Sequence, residues 1–223
     1  MSDGAALLHR LLTSVLWGLE CELPGSELVP MLEHLLREAP TGSDEARLAR
    51  SHLARLTVAE QPWRALRLAR TVLEQGEGDD HVCWAVIGLA HTLLGNYRSA
   101  RRAYDVAVAL APDHPSYQHN LGHLLDVAFD RPVQALYHLR AAFESMPEEA
   151  ELAASYAHAL VRAGRVAQAE RILRGALGER ADGLLAEWLL AAQQWHETTV
   201  GPRRTKPLPA CGPEPLADSG SDG

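Results

Sequence analysis

The sequence predicts an all-α solenoid, in which antiparallel helix hairpins stack and each packs only on its neighbours. Two observations predict this fold. The 223 residues take their apolar mass mainly from Leu and Ala, and aromatic residues make up only 5%, a mixture that favours helices over strands. Small residues also recur at a period near 34, as at Gly88, Gly122 and Ala157, which suits one pair of short helices per unit.

The first predicted element is an N-terminal helical pair within residues 1–45. Apolar residues follow helical spacing over Ala5–Leu19, and a second helix is predicted over Ser26–Glu38 with the Ser26 hydroxyl as its N-cap. Because the apolar stripe of these helices needs a partner, we expect the pair to pack on the repeats as a degenerate hairpin.

Repeated units follow at about 46–80, where the copy is weak, and then at 81–114, 115–149 and 150–183. The unit at 81–114 is the best defined. Its first helix carries Trp84-x-x-Ile87-Gly88-x-x-His91, its second carries Ala100-x-x-x-Tyr104-x-x-Ala107, and Pro112 closes it. Small residues at matching positions predict close approach of the two helix backbones within each unit.

The predicted turns differ between units. Gly95-Asn96 and Gly164 tolerate the left-handed backbone that a tight turn needs. The unit between them uses Arg131-Pro132 instead, since Pro fits the first position of a helix, and it holds one extra residue near the turn at 129–132.

These motifs resemble the tetratricopeptide repeat, whose pattern is W-x-x-L-G-x-x-Y…A-x-x-x-F…A…P over 34 residues. The resemblance covers roughly 46–182 and implies a right-handed solenoid whose first helices line a concave groove. After the repeats, 184–197 resembles the capping helix that a solenoid needs, and the Pro- and Gly-rich tail 198–223 is predicted to be disordered.

The resemblance implies a non-enzymatic adaptor or scaffold that binds a peptide segment of another protein in this groove. Residues on the first helices that are rotated away from the packing face are predicted to line it. They are Ala85, Leu89, Thr92, His119, His123, Asp126, Ala154, His158 and Arg162. Asn120 is added because it matches the middle Asn of the carboxylate clamp of some tetratricopeptide proteins, although the other four clamp positions do not match, so no clamp is predicted.

Two alternatives stay open at this point. The size and acidity of the chain resemble those of small bacterial secretion chaperones that bind an exported substrate. The groove residues His119, His123, Asp126 and His158 also include ligand types that zinc accepts, which raises a metal-binding or metal-dependent protein as a further alternative. No cofactor is predicted.

A second candidate surface is basic. Six arginines at helical spacing are predicted on one outer flank of the second helices: Arg64, Arg67, Arg70, Arg98, Arg101 and Arg102. They suit a solvated face, an acidic partner protein, or the acidic segments of a second copy of this chain, which would allow self-association.

Composition argues against several function classes. The net charge of −8 disfavours nucleic acid as a partner, and no apolar run reaches the length of a membrane span.

Three distant cysteines without a CxxC pair suggest reduced thiols and a cytoplasmic location. Arg supplies 20 of the 21 basic residues, which suggests a GC-rich bacterial source. The chain has no phosphate loop, G-x-S-x-G or H-E-x-x-H motif, so no catalytic residue is predicted.

Overall fold

The computed structural model describes residues 3–76 and 80–177, together with Gly183 and Glu187. Within the two described ranges the chain forms ten α-helices and one π-helical turn, and no strand. The helices are α1 (Asp3–Glu20), α2 (Gly25–Glu38), α3 (Asp44–Thr57), α4 (Pro62–Gln75), α5 (His81–Leu93), α6 (Tyr97–Leu110), α7 (Pro115–His123), α8 (Pro132–Ser145), α9 (Ala150–Arg162) and α10 (Val166–Leu177). The π-helical turn, Leu124–Ala128, continues α7 directly.

The helices pair in chain order as hairpins, and each helix packs on the next along the chain. First helices of neighbouring hairpins also touch, as α3 touches α5 and α7 touches α9. This is the predicted all-α solenoid of antiparallel hairpins, and the prediction is confirmed. The predicted capping helix at 184–197 and tail at 198–223 lie outside the described residues.

Local sequence sets where the helices begin. The Asp80 carboxylate accepts a hydrogen bond from the Cys83 amide at 2.9 Å at the start of α5, and the Ser43 hydroxyl caps α3 in the same way. Pro62, Pro115 and Pro132 occupy the first turn of α4, α7 and α8. The predicted Ser26 cap is wrong: α2 begins one residue earlier, at Gly25, and no side chain caps it.

The small residues of the repeat lie where the two helices of a hairpin meet. A Cβ atom on Gly88 would lie 2.7 Å from the Tyr104 ring, and one on Gly122 would lie 2.6 Å from Leu139 Cγ. Both distances are too short for carbon atoms in contact, so only glycine permits these approaches.

The turns of the last three hairpins, α5–α6, α7–α8 and α9–α10, share a left-handed residue. Gly95 and Gly164 have φ of 72° and 78°, and Asp130 takes the same place in the intervening unit with φ of 54°. Pro132 starts α8 as predicted, but the residue that reverses the chain is Asp130, which the sequence analysis did not identify.

The core runs through the stack as three adjoining clusters. At the N-terminal end, Val15, Leu32 and Leu35 are fully buried beside Ala49 and Leu53 of α3. The N-terminal pair therefore packs on the first repeat through its apolar stripe. Among the described helices, none is long and apolar enough to cross a membrane.

Candidate binding groove

The candidate groove is the row of side chains that the sequence predicts on the first helices α5, α7 and α9. Two of its members also face the packing: Leu89 packs against the core, and Thr92 has a side-chain hydrogen bond with Tyr104 on the second helix α6. In α5 the row is Ala85, Leu89 and Thr92, all half-buried, at the i, i+4 and i+7 spacing that keeps residues on one helix face. Trp84 and Ile87 lie on a different face of α5 and pack in the core. The predicted row is thus neither fully buried nor fully exposed along α5.

Along α7 the row is polar. His119 and Asn120 are half-buried, His123 is exposed, and the two imidazole rings lie 5.9 Å apart. His119 Nε2 is 2.9 Å from the hydroxyl oxygen of Ser155 on α9, so this histidine links two neighbouring repeats. Burial lowers the pKa of His119 below its usual value, and the nearby His123 lowers it further, while Glu151 opposes the shift. The uncharged ring is therefore favoured.

Asp126 departs from the prediction that it lines the groove, because only 1% of its side chain is exposed. His158 Nδ1 lies 2.6 Å from one carboxylate oxygen, and Arg162 Nη1 donates to the other at 2.7 Å. Arg162 also donates to the backbone oxygen of Asp126 and to the carboxylate of Asp130. A buried carboxylate needs such partners, so the four residues form one connection between adjacent repeats.

The π-helical turn explains this geometry. From Gly122 to Ala135 the chain has one residue more than from Gly88 to Ala100. The helix absorbs that residue as a π turn, in which the Phe129 amide bonds to the Leu124 oxygen five residues earlier. The extra residue therefore lies in the helix ahead of the turn where it was predicted, and the π turn contains Asp126.

The four residues suggested as metal ligands do not form a ligand set. The Asp126 oxygens are bound by His158 and Arg162, and His119 points to Ser155. In the two ranges that the structure covers, no three His, Cys, Asp or Glu side chains are placed to hold a metal ion. The geometry thus gives the metal alternative no support.

A cluster that the sequence analysis missed joins the N-terminal end of α5 to the N-terminal end of α7. The Tyr117 ring stacks on His114 with 3.7 Å between centroids, and its hydroxyl lies 3.0 Å from His81 Nδ1. His81 and Tyr117 are 36 residues apart, so only the stacking of repeats could reveal the contact.

The six arginines of the predicted flank do not share one environment. Arg64 pairs with Glu33 at 2.6 Å, and Arg101 lies 3.6 Å from Asp105 and over the Phe129 ring. Arg70 and Arg102 line one cleft together, whereas Arg67 lines a separate depression beside Trp63 and Arg98 is exposed.

His91, which stands where the repeat pattern has an aromatic residue, is buried as expected for a core residue. Its Nε2 lies 3.5 Å from Arg70 Nη2, whereas its buried Nδ1 has no hydrogen-bond partner among the described residues. His52 in α3 has the same unpartnered Nδ1.

Comparison with known proteins agrees with the repeat pattern. Residues 127–193 match the family model of the tetratricopeptide repeat. Among curated proteins, FlbA of Caulobacter vibrioides is 30% identical over 129 residues. That match takes in 57% of this chain, but the chain spans only about a fifth (22%) of the length of FlbA.

Solved structures are similar in fold over most of the chain. MamA from Desulfovibrio magneticus RS-1 gives a TM-score of 0.59 at 15% identity, covering 90% of this chain and 99% of that one. YrrB, a tetratricopeptide-repeat protein with an unusual peptide-binding site, gives a TM-score of 0.57 at 17% identity, covering 68% of this chain and 78% of its own. Solenoids of stacked repeats present extended concave surfaces that such proteins use for binding. Residues 127–193 thus match the tetratricopeptide repeat, and the described residues share the fold of solved tetratricopeptide-repeat structures.

Proposed function

We propose that the protein is an adaptor that binds an extended or helical segment of a partner protein along the row on α5, α7 and α9. The observation that supports this most directly is the change of chemistry along the row. Half-buried Ala85 and Leu89 offer an apolar end, and the exposed imidazole of His123 offers a polar end on the next first helix. A peptide bound there would place apolar and polar side chains in a defined order.

The connection around Asp126 supports the same proposal in a different way. His158 and Arg162 are held by a buried carboxylate, so their positions are fixed before any partner arrives. A surface that is already ordered loses less conformational entropy on binding. In this proposal His158 and Arg162 act as a rigid wall, and the residues that contact the peptide are His123, Asn120 and the α5 row.

Photo-crosslinking tests the groove directly. A benzophenone amino acid replaces His123 in one variant and Tyr137, an exposed aromatic residue on the second helix α8, in the control. Both positions are on the surface, so neither change disturbs the core. The partner proteins crosslinked in cells are then identified by mass spectrometry, and the crosslinked peptide is sequenced.

We expect position 123 to capture one partner through a single short segment, and position 137 to capture it much less. A synthetic peptide of that segment should bind the wild-type chain, and His123→Glu should weaken this binding while Tyr137→Glu does not. Equal crosslinking at both positions, or crosslinks spread over a whole folded surface of the partner, contradicts the groove. The secretion-chaperone alternative stays a prediction.

A further inference from the structure

A cleft of about 500 Å³ opens between the second helices α4 and α6, above α5. Its floor includes Trp84, Ile87 and His91, which are three and four residues apart and so share one face of α5. The groove residues Ala85, Leu89 and Thr92 lie on another face of the same helix. The cleft is therefore a different surface from the proposed peptide groove.

The rim of the cleft carries positive charge. Arg70 on α4 and Arg102 on α6 are both exposed and both line it. Among the described residues neither arginine pairs with a carboxylate, although Arg64 and Arg101 on the same two helices do. Glu74 also lines the cleft, but the structure gives it no ion pair with Arg70 or Arg102.

The floor contains a buried polar group without a partner. His91 is only 8% exposed, and its Nε2 lies 3.5 Å from Arg70 Nη2. Because a guanidinium can only donate, Nε2 must accept, and the ring proton must be on Nδ1. Nδ1 is buried without an acceptor in the part of the chain that the structure describes. Burial, helped by Arg70, lowers the pKa of His91, which keeps the ring neutral and Nε2 able to accept.

The equivalent position one repeat later carries different side chains. There His138 on α8 replaces Ala103, and Gln118 on α7 replaces Trp84. His138 Nδ1 lies 2.7 Å from Gln118 Oε1, so a polar bridge occupies the space that the small Ala103 side chain leaves open. The open, arginine-rimmed cleft is thus a local departure from the repeat.

We propose that this cleft is a second binding site, which takes an acidic partner segment with an apolar side chain seated over Trp84 and Ile87. Carboxylates on either side of that side chain would pair with Arg70 and Arg102, whose charges complement them. The volume suits one or two side chains and their backbone, at the lower end of the range of ligand pockets.

Fluorescence anisotropy of a labelled peptide tests this site on the full chain. The probe is a fluorescein-labelled peptide of alternating Glu and Leu. Two further peptides replace every Glu by Gln, or every Leu by Ser. The test variant is Arg70→Gln/Arg102→Gln, and the matched control is Arg67→Gln/Arg98→Gln, which removes two exposed arginines from the same two helices and leaves the cleft rim intact.

We expect the test variant to lose at least about tenfold in affinity for the Glu/Leu peptide, and the control to lose less than about twofold. Both changed peptides should bind the wild-type chain more weakly than the probe. Equal losses in the two variants would show a non-specific response to net charge and overturn the proposal. Binding of the Gln/Leu peptide as tight as that of the probe, or no binding of the probe at all, would also overturn it.

Discussion

The buried carboxylate of Asp126 makes two predicted groove residues, His158 and Arg162, part of the packing between repeats. It is almost completely buried, and it holds His158 and Arg162 on the next first helix. The sequence predicted Arg162 as a residue that lines the groove. Its contacts with Asp126 and Asp130 instead make it part of the packing between repeats.

We therefore expect Arg162→Ala to lower the free energy of unfolding by about 3 kcal/mol, because it removes the cationic partner of a buried carboxylate. Urea unfolding followed by circular dichroism measures the change. In a double-mutant cycle with Asp126→Ala, the double variant should lose clearly less than the sum of the two single variants. Additive losses would show that the two side chains are not coupled.

Gly88 and Gly122 also matter for packing, because they have no side chain where two helices meet. Gly88→Ala and Gly122→Ala each place a methyl group against Tyr104 or Leu139, and each should cost about 1–3 kcal/mol. The control is Gly175→Ala in α10, where a Cβ would meet nothing within 4 Å. That variant should gain up to about 1 kcal/mol from helix propensity. Thermal unfolding of the three variants would contradict the packing argument if Gly88→Ala or Gly122→Ala were neutral.

At the scale of elements, the π-helical turn and the turn after it belong together. The π turn accommodates one extra residue, and Asp130 then takes the left-handed conformation that glycine takes in the hairpins on either side. Arg162 contacts both Asp126 in the π turn and Asp130 in the reversal. The contact ties the end of one first helix to the end of the next.

The backbone at Asp130 gives a prediction that separates conformation from charge. Asp130→Gly and Asp130→Ala both remove the carboxylate that Arg162 binds, so their difference reports only the left-handed backbone. We expect the Gly variant to be more stable than the Ala variant by about 1 kcal/mol, since the Cβ of alanine is disfavoured at φ of 54°. Equal urea midpoints for the two variants would contradict the left-handed assignment.

At the scale of the whole molecule, histidines are spread through the stack of repeats. Burial is the largest cause of a lowered pKa at five of them: His52, His91, His114, His119 and His138. Three of these, His52, His91 and His114, also have a buried Nδ1 without a hydrogen-bond partner. In the folded protein these rings, which lie in several repeats, are therefore harder to protonate than in the unfolded chain.

The sign of the pH dependence follows from the lowered pKa values. Below the ordinary histidine pKa of 6.5, the unfolded chain binds protons that the folded chain does not, so stability is full above this pH and declines as the pH falls. We expect the urea midpoint to drop between pH 7.5 and pH 5.5. His52→Gln should reduce the drop, and His9→Gln, on the exposed face of α1, should leave it unchanged. A midpoint that is constant or rises on acidification contradicts this prediction.

Residue spacing alone predicts the row of side chains proposed as the groove. The row on the first helices follows from helical periodicity and from the small residues that identify the opposite, packing face. The inward turn of Asp126 could not be predicted that way, because it depends on a π turn, and the sequence shows only one surplus residue between Gly122 and Ala135. The six arginines were also predicted on one flank from their helical spacing. Glu33 on α2 pairs with Arg64, and Asp105 on α6 pairs with Arg101, so the arginines lie in different environments.

The amino-acid order alone was enough for the hairpin repeat, the small residues between paired helices and several helix starts. These features depend on interactions within a hairpin, and each recurs along the chain, so periodicity exposes them. Stacking in three dimensions was needed to bury Asp126, to bring His81 to Tyr117 and to leave a cleft between α4 and α6. Such contacts join residues from different repeats, and their outcome depends on side-chain size and charge at positions where the repeats differ.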